Sequence, residues 1–135
     1  MTAQENIRMI KGVYDAFNRG DIQGLLAVLT DDVDWIFPGP AGVIPYAGRI
    51  KGPAAVSTFF KILAEHEEVQ AYDPRDFIAN KNAVVACGYY RSRIRATGRM
   101  LEGEWAQVWR LRAGKVEGLH SYVDTAAMVV SYGNA

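Results

Sequence analysis

The sequence predicts a single α+β domain over residues 1–135, with helices gathered in the first half and antiparallel strands in the second. Three of the five prolines fall within residues 38–48, which excludes a helix or a central strand there and predicts a long loop. Apolar and polar residues alternate in the second half, as in residues 83–96. Near the N-terminus, apolar residues recur at helical spacing, at Ile7, Ile10, Val13, Tyr14 and Phe17. These patterns favour a bent sheet wrapped around the long first helix.

Three helices are predicted, at about residues 2–19, 22–29 and 53–67. Thr2 followed by Glu5 has the form of a capping box for the first helix. Asp21 can cap the second helix, and Pro53 suits the first turn of the third. A final helical turn at about residues 125–130 would begin after Asp124, whose side chain can act as its N-cap.

Strands are predicted at about residues 33–37, 69–72 with 77–79, 83–96, 99–111 and 115–123. In the strand at 83–96, Arg91, Arg93 and Arg95 share one face. That face is expected to be exposed to solvent, because the apolar residues of the same strand lie on the other face.

The hairpin formed by the last two strands decides which side chains share the inner face. Residues 112–114 fit a three-residue loop, because a two-residue loop would require a positive φ at Ala113. The three-residue loop makes Gln107 and Ser121 diagonal neighbours and turns His120 away, whereas the two-residue register would put His120 beside Gln107. The inner face then carries Trp105, Gln107, Trp109, Leu111, Leu119, Ser121 and Val123. A mostly apolar face with two polar groups is typical of a small-molecule pocket.

Composition excludes several classes of function. Fifteen Lys and Arg balance fifteen Asp and Glu, so no basic field is available for nucleic acid or an anionic membrane. No apolar run is long enough to span a membrane, and the N-terminus lacks the apolar core of a signal peptide. Cys87 is the only cysteine and is expected to be a buried small hydrophobe. A cytoplasmic location is the expectation that follows. No set of His, Cys or acidic residues has metal-ligand spacing, so neither a metal nor a cofactor is predicted.

Four segments resemble the SnoaL-like proteins of the nuclear-transport-factor-2-like, or cystatin-like, superfamily, which also holds the ketosteroid isomerases. They are AFNRGDIQGLLAVLTDDVDW, PYAGRIKGPAAVSTFF, ATGRMLEGEWAQVWRLRAGKV and YVDTAA. The resemblance implies a cone-shaped fold in which three N-terminal helices pack on a strongly curved antiparallel sheet, with a cavity at its open end. Members include polyketide cyclases, isomerases, epoxide hydrolases, dehydratases and non-catalytic domains, so the fold alone does not choose a reaction.

The resemblance also places the catalytic positions of these families on the chain. The carboxylate base of the ketosteroid isomerases matches Phe37, and their oxyanion hole matches Val13, next to Tyr14, together with Gln107. These replacements argue against steroid isomerisation by that mechanism. In the polyketide cyclases, a histidine often stands on the penultimate strand and an acid fourteen residues later. Here those positions hold Gln107 and Ser121, and neither is a base unaided.

We expect Gln107 to hold a substrate oxygen and Tyr14, Tyr46 or His120 to transfer a proton. Tyr46 lies in the proline-rich loop, which is able to cover a pocket. The residues expected to contact the substrate are Trp35, Phe37, Tyr46, Tyr90, Trp105, Trp109, Leu119 and Ser121.

Two hypotheses on function follow. The first is an isomerase, cyclase or dehydratase that acts by proton transfer on a carbonyl-bearing or polycyclic hydrophobic metabolite. The second is a non-catalytic binding or dimerisation domain that kept the cavity and lost the base. Under either hypothesis, Ala106, Val108 and Tyr122 on the outer sheet face predict a homodimer.

Overall fold

The computed structural model describes residues 1–133, and within them four helices pack on one curved six-stranded sheet. The helices are α1 (Ala3–Asn18), α2 (Ile22–Leu26), α3 (Pro53–His66) and α4 (Thr125–Ser131). The strands are β1 (Leu29–Phe37), β2 (Gly48–Lys51), β3 (Glu67–Ala79), β4 (Ala83–Ile94), β5 (Met100–Arg112) and β6 (Lys115–Val123). The predicted α+β class is therefore confirmed. No helix among these residues is both long and apolar enough to cross a membrane.

The helix starts follow local capping chemistry. Thr2 and Glu5 form the predicted capping box of α1, and Asp21 accepts a hydrogen bond from the Gly24 amide at the start of α2. Pro53 occupies the first turn of α3, as predicted. The second helix is shorter than expected, because the chain already enters β1 at Leu29.

The strand order of the sheet is β2-β1-β6-β5-β4-β3. Neighbouring strands are antiparallel except for β1 and β6, which run parallel, so the expectation of a wholly antiparallel sheet was wrong for this pair. Strand β2 was not predicted. Strand β3 is continuous where two short segments were expected, and Pro74 is tolerated because β3 is an edge strand with a register shift beside that residue.

The turn between β5 and β6 differs from the prediction. Arg112 pairs with Lys115, which leaves a two-residue loop in which Ala113 adopts a φ of 50° and Gly114 a φ of 78°. A β-bulge follows at once, since Leu111 pairs with Val116 and Arg110 pairs with Gly118. The bulge adds one residue to β6 and restores the alternation that the two-residue loop would have reversed.

The inner and outer faces of the sheet are consequently those that the sequence predicted. Trp105, Trp109 and Leu119 are buried on the inner face. Cys87 lies on the outer face, opposite Ala106, and is exposed, so its expected burial was wrong. Its neighbours Ala86 and Gly88 hold the inward positions of β4.

Candidate functional site

A cavity of about 100 Å³ lies between the inner face of the sheet and the helices. Its wall is largely aromatic and aliphatic, with a few polar side chains set into it. All eight residues that were predicted to contact a substrate line this cavity, namely Trp35, Phe37, Tyr46, Tyr90, Trp105, Trp109, Leu119 and Ser121. The predicted proton-transfer and oxygen-binding residues Tyr14 and Gln107 line it as well.

Aromatic rings make the cavity wall continuous with the hydrophobic core. The rings of Tyr72 and Trp105 lie 4.7 Å apart between centroids, and those of Tyr14 and Trp105 lie 5.3 Å apart. On the β1 side, Phe37 meets Tyr46 edge to face at 4.9 Å. These contacts place the hydroxyl-bearing rings of Tyr14, Tyr46 and Tyr72, from three different segments, in the cavity wall.

The first polar cluster of the cavity is a chain of hydrogen bonds that runs from β5 to α1, back to β5 and on to β6. The indole nitrogen of Trp109 donates to the Tyr14 hydroxyl over 2.8 Å, and that hydroxyl donates to the Gln107 amide oxygen over 2.6 Å. The Gln107 amide nitrogen then donates to the Ser121 hydroxyl over 3.0 Å. The β-bulge makes this last bond possible, because it places Gln107 and Ser121 directly opposite each other instead of diagonally.

Burial keeps the Tyr14 phenol neutral. Removal from water raises the pKa of Tyr14 well above its usual range, and the hydrogen bond from Trp109 opposes that shift only in part. Its hydrogen is already committed to Gln107. Tyr14 is therefore suited to hold Gln107 in place, whereas the sequence also predicted it as a candidate proton-transfer group.

A second polar cluster surrounds Glu67, the first residue of β3, which is 4% exposed and lines the cavity. Tyr132, after α4, donates its hydroxyl to Oε2 over 2.5 Å. Tyr46, from the proline-rich loop, donates its hydroxyl to the same oxygen. Ser92, from β4, donates to Oε1 over 2.9 Å. A carboxylate has about four acceptor positions. These three bonds therefore leave one open, on Oε1.

The two tyrosines that donate hydrogen bonds to Glu67 have raised pKa values. Burial raises the pKa of Tyr46 well above its usual range, and the adjacent Glu67 carboxylate raises it further. Burial and the hydrogen bond to Glu67 likewise raise the pKa of Tyr132. Both phenols are therefore neutral donors near neutral pH, and the cluster combines one acid with hydroxyls that hold it in place.

His120 does not belong to the cavity. It lies on the outer face of β6, opposite Val108, and its ring stacks on that of Tyr122 at 4.4 Å. The β-bulge is the physical reason, because without the extra residue His120 would stand opposite Gln107. The expectation that His120 transfers a proton to a bound substrate is corrected by this placement.

Glu67, Ser92 and Tyr132 were missed as site residues. The sequence predicted Glu67 as the last residue of the third helix, at about residues 53–67, whereas it is the first residue of β3. The sequence contained one signal for Ser92. Ser92 lies two residues after Tyr90 on β4, so its hydroxyl must lie on the same inner face of the sheet. No comparable signal in the sequence pointed to its acidic partner.

Within residues 1–133, no group of His, Cys, Asp or Glu side chains is arranged to hold a metal ion. The polar groups of the cavity are one carboxylate, neutral hydroxyls and an amide. Such a set can hold an oxygen by donated hydrogen bonds and can exchange a proton with a bound molecule.

Comparison with solved structures supports this architecture. An NTF2-like protein from Burkholderia xenovorans LB400 is similar with a TM-score of 0.88 and 33% identity, covering 98% of this chain and 99% of that one. An NTF2-like protein of unknown function from Burkholderia pseudomallei K96243 is similar with a TM-score of 0.84 and 30% identity, covering 96% and 98%. TerC, crystallised with polyporic acid, is similar with a TM-score of 0.82 and 26% identity, covering 95% and 98%.

A search among curated proteins found no match. The sequence profile of the family described as "SnoaL-like domain" matches residues 10–118, which is more than half of the chain and confirms the resemblance seen in the sequence. With its NTF2-like fold, this chain belongs to the SnoaL-like family.

Proposed function

We propose that this protein is a cofactor-independent enzyme that moves a proton on a carbonyl-bearing hydrophobic metabolite, as an isomerase, cyclase or dehydratase. The observation that carries the proposal is the buried Glu67 carboxylate in the wall of an apolar cavity. Burying a carboxylate is costly unless hydrogen bonds compensate. A carboxylate in a cavity wall is within reach of a bound molecule and is a candidate for general acid–base chemistry.

Glu67 is the proposed proton-transfer group, in the role predicted from the sequence for Tyr14, Tyr46 or His120. The open acceptor position on Oε1 receives the proton, while the hydroxyls of Tyr46 and Tyr132 hold Oε2. Gln107 and Ser121 bind the substrate oxygen at the other end of the cavity. The aromatic wall, with Trp105 as one member, packs against the body of the substrate.

The separation of Glu67 from Gln107 and Ser121 bears on the kind of substrate that can use both. Gln107 pairs with Ala86, and Ser92 lies six residues further along β4, which is roughly 20 Å of extended strand. We therefore propose that the proton and the oxygen belong to different parts of the substrate, joined by a conjugated system.

The cavity volume sets a further condition. At about 100 Å³ it is below the roughly 300–1,000 Å³ of pockets that hold drug-sized ligands. A substrate of more than one ring therefore requires lining side chains to move. TerC, which shares the fold, was crystallised with polyporic acid, and this supports a small organic molecule as the ligand class.

One observation favours the second candidate, a binding protein without catalysis. Three hydroxyl donors already satisfy most of the Glu67 carboxylate. They tie together the proline-rich loop, β4 and the segment after α4. Such a cluster is also able to serve as a purely structural clamp.

Hydrogen–deuterium exchange separates the two candidates. Conjugated enones of one, two and three rings are incubated in D₂O, and NMR locates each exchanging carbon. Glu67→Gln is expected to lower catalysed exchange by about 10²–10⁴-fold, the usual contribution of a general base. Glu68→Gln, the same change at the adjacent exposed acid, is the matched control. Some enones are expected to bind and so to raise the melting temperature of the protein. If each of these exchanges its hydrogens no faster with the protein than in buffer alone, the protein binds without catalysis.

A homodimer through the outer sheet face and a cytoplasmic location are further parts of the proposal. Tyr122 is 49% exposed and Ile78 is 74% exposed, which supports a contact surface there. Sedimentation is expected to show a dimer that Tyr122→Glu weakens. Val130→Glu, at a residue of α4 that is also exposed, is the control. A reducing compartment suits a chain whose single cysteine is free and exposed.

A further inference from the structure

The hydrogen-bond chain from Trp109 to Ser121 runs in one direction only. An indole nitrogen can donate but cannot accept, so the Tyr14 oxygen must be the acceptor of the first bond. The Tyr14 hydrogen then points to Gln107, and only the amide oxygen of Gln107 can receive it. The amide nitrogen of Gln107 is thereby turned toward Ser121 as a donor.

This direction leaves hydrogens without acceptors at the end of the chain. The Ser121 oxygen accepts from Gln107, so the hydroxyl hydrogen of Ser121 is free to donate. Within residues 1–133, the hydrogen bonds of Ser121 include no acceptor for it. Gln107 uses one of its two amide hydrogens for Ser121, and the second is also uncommitted. Both residues are buried, at 2% and 8% exposure, and both line the cavity.

Uncommitted donors in a buried site are costly without a partner, and a ligand oxygen can supply the acceptor. We infer that Ser121 and Gln107 form a donor site selective for an acceptor oxygen of a ketone, aldehyde or quinone, and that Trp109 and Tyr14 are positioning residues that fix its direction. The inference rests on the proposed function only in that a small molecule occupies the cavity, and it holds whether or not that molecule reacts.

Trp109 sets the direction because of its chemistry and not because of its size. Trp105 provides a natural comparison, since it also lines the cavity but donates its indole hydrogen to the Tyr89 carbonyl over 3.1 Å, outside the chain. Removing the Trp109 indole would free the Tyr14 oxygen to accept from Gln107. The amide could then turn over, and Ser121 would become the donor to Gln107 and would no longer be committed to the ligand.

The test uses two probes of one ring and similar shape. Cyclohexanone carries an acceptor oxygen, and methylenecyclohexane has an apolar CH₂ group in its place. Ser121→Ala is expected to raise the Kd of cyclohexanone by about tenfold, the upper end for one neutral hydrogen bond, and to leave that of methylenecyclohexane within about twofold. Trp109→Phe is expected to shift the same ratio of dissociation constants by about threefold, and Trp105→Phe to leave it unchanged.

A second readout needs no variant that might fail to fold. Both probes contact the cavity wall, which includes Trp109. In the wild-type protein, cyclohexanone is expected to move the NMR signal of the Trp109 indole N–H further downfield than methylenecyclohexane does, because an acceptor at Ser121 polarises the whole chain. Equal effects of Ser121→Ala on both probes, or equal effects of Trp105→Phe and Trp109→Phe on the ratio, would overturn the inference. Binding of neither probe would overturn it together with the proposed function. Cyclohexanone binding at Ser121 with no exchange in any enone would support it and remove the proposed function.

Discussion

Replacing Tyr14 with Phe tests the buried hydrogen-bond chain through stability alone. The change removes one oxygen and orphans two partners, the indole N–H of Trp109 and the amide oxygen of Gln107. An unsatisfied buried polar group costs about 1–3 kcal/mol, so two such groups cost about 2–6 kcal/mol. The lower end is expected, because the adjacent cavity of about 100 Å³ can admit a water molecule as a replacement partner.

The expected loss translates into a measurable shift in melting temperature. With an unfolding entropy of about 2.1 cal/mol/K per residue, the 135-residue chain has about 0.28 kcal/mol/K in total. A loss of about 2 kcal/mol then lowers Tm by about 7 °C. Urea denaturation supplies the free energy of unfolding, and calorimetry supplies Tm.

Two comparisons isolate the hydroxyl. Tyr122→Phe removes a hydroxyl from a residue that is 49% exposed and is expected to change the free energy of unfolding by less than about 0.5 kcal/mol. A double-mutant cycle with Gln107→Leu is expected to give a coupling of about 1–2 kcal/mol, because the second change removes one of the orphaned partners. A loss below about 0.5 kcal/mol for Tyr14→Phe would refute the reasoning, since it would mean that the chain is not desolvated.

Three further predictions concern the frame of the cavity. A Cβ on Gly88 would lie 2.2 Å from the Asp73 carbonyl oxygen and 2.6 Å from Trp105, so Gly88→Ala is expected to lower the free energy of unfolding by about 2–3 kcal/mol in urea denaturation. Gly103→Ala, whose nearest contact would be at 3.8 Å, is expected to lower it much less. Similar losses for both variants would contradict the steric explanation. Burial, and then the charge of Glu67, raises the pKa of Tyr90 to about 12. The pKa of tyrosine in the unfolded chain is about 10. The stability that the neutral phenol contributes is therefore complete below about pH 10 and is lost as the pH rises toward about 12. Tyr90→Phe should flatten the fall in the free energy of unfolding over that range, and parallel plots of stability against pH for the two proteins would contradict this. Thr2→Ala removes the cap of α1 and should cost about 1 kcal/mol, whereas Thr2→Ser should be nearly neutral, and equal losses would show that the hydroxyl is not the stabilising group.

The inner face of the last hairpin was predicted correctly, but for a reason that the structure corrects. A three-residue loop was expected because Ala113 is a poor residue for positive φ, yet Ala113 adopts a φ of 50°. The bulge between Arg110 and Leu111 then compensates for the shorter loop. Strand β6 also pairs with β1, and that pairing is irregular over the same stretch of β6, where the five steps of β1 from Leu29 to Asp34 lie against the two steps of β6 from Val116 to Gly118. The register of β6 therefore changes against both of its neighbours at one place, which depends on tertiary contacts that local turn preferences do not contain.

Elements with strong local signals were predicted well. The capping box at Thr2, the cap at Asp21 and the start of α3 at Pro53 all depend on residues within one turn of the helix end. The Glu67 cluster has no such signal. Its hydroxyl donors lie 21, 25 and 65 residues away in the sequence, at Tyr46, Ser92 and Tyr132. Only the folded chain brings them to one carboxylate.

Neither Gln107 nor Ser121 is a base, but the cavity still contains an ionisable group, the Glu67 carboxyl. In the pattern of the polyketide cyclases that this chain resembles, the histidine and the acid stand on the last two strands. Here those strands provide uncommitted donors instead, and a buried carboxylate enters from β3 at Glu67. Donors and carboxylate lie on different strands of one cavity wall, and within residues 1–133 no hydrogen bond joins the Glu67 carboxylate to Gln107 or Ser121. A ligand that bridges them meets a group that can hold its oxygen and a group that can take its proton, and this division is the physical basis of the proposed reaction.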